Sequence, residues 1–558
     1  MNLSLAFTNS VQRDPKKIAL FWGDAEFTYA ELETHSWSVA TRLTQDFGVA
    51  PGDRVGIWLK NCPEFVPALF GILHAGGVVV PINNFLKPGE VQYILADAGI
   101  TTLISDNSMA DSLAALQSSN PGLRILLADA ISAAPMESVA PDNRLSIRNP
   151  KSEIRNSSAP SPRAHLDTGT LLLFTSLSPP AGREPERGVR SFGGAVSKCT
   201  PSPLAVIIYT SGTTGHPKGA MLSHGNLLAN IESCRIVLEA VGDDRFALLL
   251  PMFHSFMLTV CILLPLTVGG SIVLVKSLHP AKNILQEVIR HRATILPAVP
   301  QFFRAMAHGG VPPGLPLRVC ISGGAPLPGE ILKEFTERFP VPLLEGYGLS
   351  EASPVVSFNP ILGPWKAGSI GVPIPNVDVS VQNDMGEILG TGQTGEICVR
   401  GTNVMQGYWN QPAETAKVFR HGWLLTGDVG HRDPEGYFYI TDRKKDMLLV
   451  NGNNVYPREI EEVLYQFPGV RETAVIGRPD SRKGEQPLAF VAPNEGVTLQ
   501  AADLLKFLRE RLADYKLPRQ VIVLPNLPRN ATGKILKTDL RTRLAAGQFP
   551  DESASRRE

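Results

Sequence analysis

Leu204-Ala-Val-Ile-Ile-Tyr209 runs directly into Thr210-Ser-Gly-Thr-Thr-Gly-His-Pro-Lys-Gly219. The first part is a short, continuous apolar run rich in β-branched residues, the pattern of a strand buried on both faces. The second part is a loop of glycines, hydroxyls and a single lysine. Such a loop can wrap phosphates: glycines let backbone N–H groups turn inward as an anion nest, Ser and Thr hydroxyls add donors, and Lys218 supplies positive charge. The spacing Gly212-x-x-Gly215-x-x-Lys218-Gly219 departs from the G-x-x-x-x-G-K-[ST] form, which counts against the common nucleotide-hydrolase fold.

Upstream of the loop, Thr28 with Glu31 forms a capping box that opens a helix reaching Leu43. Arg54 to Leu59, Pro63 to Ala75, and Gly76 to Pro81 then read as strand, proline-opened helix and strand, a βαβ unit. The same alternation returns from Leu204 to Phe339, including Ala293 to Leu296 and Leu317 to Ile321, which makes the class α/β with buried sheets. From Thr402 the texture changes to turns and short strands. Beyond Asp442, a helix at Pro457 to Gln466, a strand at Thr473 to Gly477 and a helix at Ala502 to Leu512 form what reads as a separate small domain. Residues 149–203 are rich in Ser, Pro, Arg and Gly and are expected to be a disordered, low-complexity insertion.

At 558 residues the chain exceeds what one core usually serves. Lys plus Arg and Asp plus Glu both total 53, so no nucleic acid or anionic surface is implied as main partner, and an anionic ligand needs a local site. The six cysteines are scattered singly, without zinc spacing or disulfide density, which fits a reducing cytoplasm. Met1 to Asp14 lacks the pattern of a secretory signal. Phe246 to Val275 has no charged residue and is long enough to span a bilayer, but Pro251, Pro265, Gly269 and Gly270 cut it into a buried strand, helix and strand. No transmembrane segment is expected, and peripheral membrane contact is left open.

Taken together, these runs resemble the adenylate-forming superfamily of acyl-CoA synthetases, peptide-synthetase adenylation domains and luciferases. The loop from Thr210 to Gly219 is similar to that family's phosphate loop. Ser322-Gly-Gly-Ala-Pro-Leu-Pro328 and Leu344-Glu-Gly-Tyr-Gly-Leu-Ser-Glu351 resemble its adenine segments, Thr426-Gly427-Asp428 its ribose segment, Asp442-Arg-Lys-Lys-Asp446 its hinge, and Leu527-Pro-Arg-Asn-Ala-Thr-Gly-Lys-Ile-Leu-Lys537 its last block. The likeness spans Phe27 to Lys537 except the insertion, and within the superfamily it leans toward bacterial long-chain fatty acid–CoA ligases.

The resemblance implies a large N-terminal domain of stacked α/β sheets with a small β-rich subdomain, and a mobile α+β C-terminal domain. The large domain would comprise 1–148 and 204–441, the hinge 442–446, and the mobile domain 447–558. It implies ATP, Mg2+ and coenzyme A as reactants, with a small carboxylic acid, a medium- to long-chain fatty acid, as substrate; the oligomeric state stays open between monomer and homodimer. ATP would be held by Thr210, Ser211, Gly212, Thr213, Thr214, Gly215 and Lys218 at its phosphates. Gly324, Ala325, Pro326, Glu345, Gly346, Tyr347, Gly348 and Ser350 would lie at the base, and Asp428 and Arg443 at the ribose. Thr210 and Glu351 would face the metal, Lys445 would serve as the hinge, and Lys534 as the catalytic lysine. His254, in Pro251-Met-Phe-His-Ser255, would stand beside the acid's carboxylate as a second catalytic residue, with Gly323 and Gly324 leaving room for an aliphatic tail. Gly452 and Asn453 would border the coenzyme A arm. Ser350 stands where the family more often has threonine, and Asn453 where it often has glutamate. Two rivals remain: an acyl-adenylate ligase serving a carrier protein, and a non-catalytic nucleotide-binding protein.

Overall fold

The computed structural model describes residues 2–132, 202–210, 217–277, 282–309, 312–480, 484–530 and 533–549. The expected insertion, apart from Ser202 and Pro203, lies outside them, as do Ser211 to His216.

The strand Leu204–Thr210 sits in a six-stranded sheet, ordered Arg124–Leu127, Thr102–Ser105, Arg54–Trp58, Val78–Pro81, Leu204–Thr210 and Lys218–Ser223. All pairings are parallel except the last, in which Thr210 lies opposite Lys218. The expected βαβ unit is present, its helix Phe65–His74 buried from Phe65 through Leu73. A helix apolar on every side belongs between layers. Thr28 caps the helix Tyr29–Gln45, and both bonds of the capping box with Glu31 are made.

The second sheet has nine strands: Val372–Pro373, Val355–Phe358, Leu343–Gly348, Val319–Ser322, Ile295–Ala298, Arg245–Leu248, Ser271–Leu274, Ile18–Trp22 and Ala25–Thr28. The strands expected from Ala293 and Leu317 begin two residues later, because parallel pairing sets Ile295 opposite Phe246 and Val319 opposite Ile295. Phe246 to Val275 resolves into strand, helix and strand as expected. Its middle, Met257–Leu263, is a wide π-helical segment continued by Leu264–Val268. Among the described residues no helix is long and apolar enough to cross a membrane.

A five-stranded sheet, Val377–Gln382, Gly395–Gly401, Phe419–Arg420, Trp423–Arg432 and Phe438–Arg443, follows. The final five-stranded sheet, from Leu448–Val450 to Gln520–Val523, has its own apolar cores around Ile460, Val475 and Leu504, and around Phe490, Leu527 and Leu540. The fold is thus α/β, with a large N-terminal and a smaller C-terminal domain. All described residues fall in one compact unit, 1–134 with 201–558. Arg304, buried in the large part, reaches across to donate to the backbone carbonyls of Arg471 at 2.6 Å and Val470 at 3.0 Å.

Candidate active site

The ends of the glycine-rich loop are braced by the helix Pro88–Ala98. Tyr209 donates to Asp97 and Tyr93 donates to the Pro217 carbonyl at 3.4 Å. Ser211, Gly212, Thr213, Thr214 and Gly215 lie outside the described residues. Lys218 is mostly buried, ion-paired with Glu414, and its ammonium lies 5.3 Å from the centre of the Tyr408 ring. The strip 405–409 continues the sheet beside Lys218–Ser223, with Trp409 N–H donating to Gly219 and Met221 N–H to Gly407. Through this strip the loop is tied to Glu351, whose carbonyl accepts from Met405 N–H and whose Oε1 accepts from Tyr408 at 2.9 Å.

In the strand Leu343–Gly348, neither Gly346 nor Gly348 can take a side chain unless a neighbour shifts. A Cβ would lie 2.8 Å from the Phe358 ring in the first case and 2.1 Å from the Pro354 carbonyl oxygen in the second. Between these two glycines, the Tyr347 hydroxyl donates to Asp428 Oδ2 at 2.5 Å. Ser350 Oγ is 3.0 Å from Ser255 Oγ, joining this segment to the one that bears His254. Gly324 has a positive φ of 77°, and a Cβ there would be in ordinary contact with Val299 Cγ1 at 3.9 Å; Ala325 and Pro326 follow in the same loop. Gly323 differs from expectation: the volume a side chain would take there belongs to Phe256, 3.1 Å away. Glu345 also differs. Its side chain is buried against the loop, accepting from Leu327 N–H at 3.1 Å, and so braces that loop from behind. Burial pushes its carboxyl up to about 7, opposed by the charge of Arg458.

Register places Asp428 opposite Arg443, and Arg443 Nε lies 3.2 Å from Asp428 Oδ1. Lys534 enters the same neighbourhood on a turn fixed by Asn530, whose Oδ1 accepts from Lys534 N–H at 2.9 Å. Lys534 is an exposed residue. Its pKa is lowered by the surrounding protein and by Arg443, against the favourable charges of Asp428 and Asp446. His254 is held at about 4 by desolvation and then by the charge of Lys534. The histidine is therefore neutral near pH 7. Its Nδ1 accepts from Phe256 N–H at 3.3 Å, which leaves the proton on Nε2. Lys534 is thus electrostatically coupled both to His254 and to Asp428 and Arg443.

The hinge candidate is pinned on several sides. Asp442 accepts from Arg443 and Arg458 N–H groups at 2.7 and 2.9 Å, and Asp446 pairs with Arg541 at 2.7 Å. Lys445 lies between them, its pKa lowered by burial. Asn451 and Gly452, with φ of 50° and 80°, make the two-residue turn that joins Leu448–Val450 to Asn453–Val455. Positive φ at both positions is what an Asn-Gly hairpin supplies, so the glycine has a backbone reason to be there.

Among the described residues there is no group of three or more His, Cys, Asp or Glu side chains able to hold a metal by themselves. Thr210 and Glu351 nevertheless fit a magnesium ion shared with substrate phosphates. Both offer hard oxygen, and that ion is commonly held by one or two protein ligands with phosphate and water. Sequence reasoning did not find Tyr408, Glu414, Asp97 or Phe256, whose partners lie far away along the chain.

The AMP-binding enzyme family model matches residues 7–409, and the AMP-binding enzyme C-terminal domain model matches 459–534. A long-chain-fatty-acid–CoA ligase of Bacillus subtilis is 36% identical over 551 residues, covering 96% of this chain and 94% of that protein. A feruloyl-CoA synthase of Amycolatopsis is 34% identical, covering 95% of this chain and 96% of the other. The ATP-bound crystal structure of MatB from Rhodopseudomonas palustris superposes with a TM-score of 0.79 at 31% identity, covering 97% of this chain and 99% of that one.

Proposed function

The chain belongs to the AMP-binding enzyme family and is an acyl-CoA ligase of the adenylate-forming kind, using ATP, Mg2+ and coenzyme A on a small carboxylic acid, and from that premise we propose that its natural acid is a medium- to long-chain fatty acid. The observation that supports the site assignment is the Asp428 carboxylate held between the Tyr347 hydroxyl and Arg443, a pair to which Lys534 is electrostatically coupled.

A free carboxylate is a poor acyl donor because its leaving group would be oxide. Activation on the α-phosphorus of ATP converts it to a mixed anhydride and releases pyrophosphate. Two anions must meet for this, and a fixed ammonium between them lowers the cost. Lys534 takes that position, with the carboxylate entering on the His254 side. Neutral His254 offers Nε2–H to a carboxylate oxygen without adding a second cation beside the lysine. Tyr347 presents its ring to the adenine, Asp428 accepts from the ribose hydroxyls, and Arg443 orients that carboxylate. Thr210 and Glu351 would hold magnesium, which supplies charge neutralisation at the phosphates when bound. Residues 447–558 then swing about 442–446, with Lys445 absorbing the backbone change, so that Gly452 and Asn453 border the path of the attacking thiol. This reading places the enzyme in the cytoplasm.

Fatty acid specificity is supported by the Bacillus subtilis relative. The test is thioester formation over saturated fatty acids of increasing length, with ferulic and other aromatic acids as comparators and a phosphopantetheinylated carrier as alternative acceptor. The expected result is a maximum kcat/KM for a medium or long aliphatic acid with coenzyme A. A maximum with an aromatic acid, or transfer to the carrier alone, would overturn it.

A further inference from the structure

We propose that Tyr408 is a positioning residue for the magnesium–triphosphate half of the site, its hydroxyl setting the orientation of the Glu351 carboxylate. The inference rests on Glu351 being a metal-facing carboxylate. Glu351 sits on the short turn Ser350–Ala352, where its side chain has rotamer freedom to lose before it can serve a cation. Tyr408 removes that freedom by donating to Oε1 at 2.9 Å. A neutral donor suits this role, because it fixes one oxygen and leaves the carboxylate's full negative charge for a cation on the other. An ammonium at the same place would cancel it. The nearby ammonium of Lys218 is engaged by Glu414.

Tyr408 is itself held firmly. It is 8% exposed, its N–H donates to Thr415 Oγ1 at 2.8 Å, and its backbone bridges to Ala220 in the strand that leaves the glycine-rich loop. Gly407 makes the approach feasible, since at its φ of 136° a Cβ would lie 2.8 Å from Thr415 Cγ2. The tyrosine therefore links the loop's exit strand to the carboxylate by one rigid side chain. Filling space in the apolar core would need only a phenylalanine; the hydroxyl aimed at Glu351 is what packing leaves unexplained. Groups that orient a metal's ligand commonly change metal affinity ~10–100-fold when removed.

The test is Tyr408→Phe in the full chain, which preserves the ring. Mn2+ binding is measured by electron paramagnetic resonance in the presence of a non-hydrolysable ATP analogue, together with the Mg2+ concentration that half-saturates pyrophosphate exchange. Glu351→Gln serves as reference. The expected result is about tenfold weaker Mn2+ binding and a matching rise in half-saturating Mg2+, with KM for the acid and the thermal midpoint close to those of the parent. Unchanged metal affinity in Tyr408→Phe while Glu351→Gln weakens it overturns the role of Tyr408 alone. If neither substitution moves metal affinity, the assignment of Glu351 fails and the inference with it. A parallel loss of metal affinity, acid KM and thermal midpoint marks a purely structural tyrosine and likewise overturns the proposal.

Discussion

The hydroxyl of Tyr347 lies 2.5 Å from Oδ2 of Asp428, while Arg443 Nε lies 3.2 Å from the other oxygen of the same carboxylate. Strand register brings Arg443 to this place, and the glycines flanking Tyr347 let its strand come close enough for the ring to reach it.

Removing the charge of Asp428 therefore disturbs more than its contact with nucleotide. Asp428→Asn leaves Arg443 without its carboxylate and weakens ATP binding by ~10–100-fold, as expected for lost charge-assisted hydrogen bonds of ~1.5–3 kcal/mol. Tyr347→Phe keeps the stacking face and costs less than about tenfold. Equilibrium binding of ATP to both variants checks the order; a larger loss in Tyr347→Phe would contradict it.

Glu345 makes stability depend on pH. A carboxyl raised from 4.5 to about 7 keeps its proton longer in the folded chain than in the unfolded one. Its favourable contribution to folding is therefore present at low pH and is lost as pH rises from about 4.5 through 7. At ~1.36 kcal/mol per pH unit the interval is worth about 3 kcal/mol. Glu345→Gln should gain stability over the parent by about that amount between pH 4.5 and pH 8 in denaturant unfolding. Parallel pH profiles for the two proteins would show that Glu345 does not titrate as argued.

His254 reports on Lys534. Desolvation and the lysine's charge hold the imidazole at about 4, so Lys534→Ala should move its titration upward. Nitrogen-15 NMR of the histidine ring across pH 3–8 measures this. An unmoved midpoint would mean that the ammonium is not beside the imidazole.

Arg304 anchors the C-terminal segment through two backbone carbonyls and lies 3.6 Å from Glu334. Arg304→Leu strips those carbonyls of a charged donor and should lower acid-dependent pyrophosphate exchange roughly tenfold. Thioester formation from supplied acyl-adenylate should change much less. Equal losses in both half-reactions would make Arg304 a general stability residue.

What could be read from the sequence was what is local. The Thr28–Glu31 box, the βαβ unit from Arg54 to Pro81 and the strand before Thr210 all rest on caps, period and β-branched content within a few residues. The Asp428, Arg443, Lys534 and His254 neighbourhood was legible only through the resemblance of successive segments, because strand register and the C-terminal packing bring those residues together. Tyr408, Glu414 and Arg304 were not legible. Their partners are 57, 196 and 167 positions away, and no period or motif marks a pair at such distance. Gly323 was read as room for an aliphatic tail and Glu345 as a contact to the base, whereas Phe256 fills the space beside the first and Leu327 N–H captures the second.

The central claim is that one ammonium, contributed by the C-terminal domain, serves the first half-reaction. Lys534→Ala, assayed separately for acid-dependent pyrophosphate exchange and for thioester formation from supplied acyl-adenylate, tests it most directly. The account predicts near-complete loss of the first activity with the second largely retained; a variant that loses both equally, or neither, would contradict it.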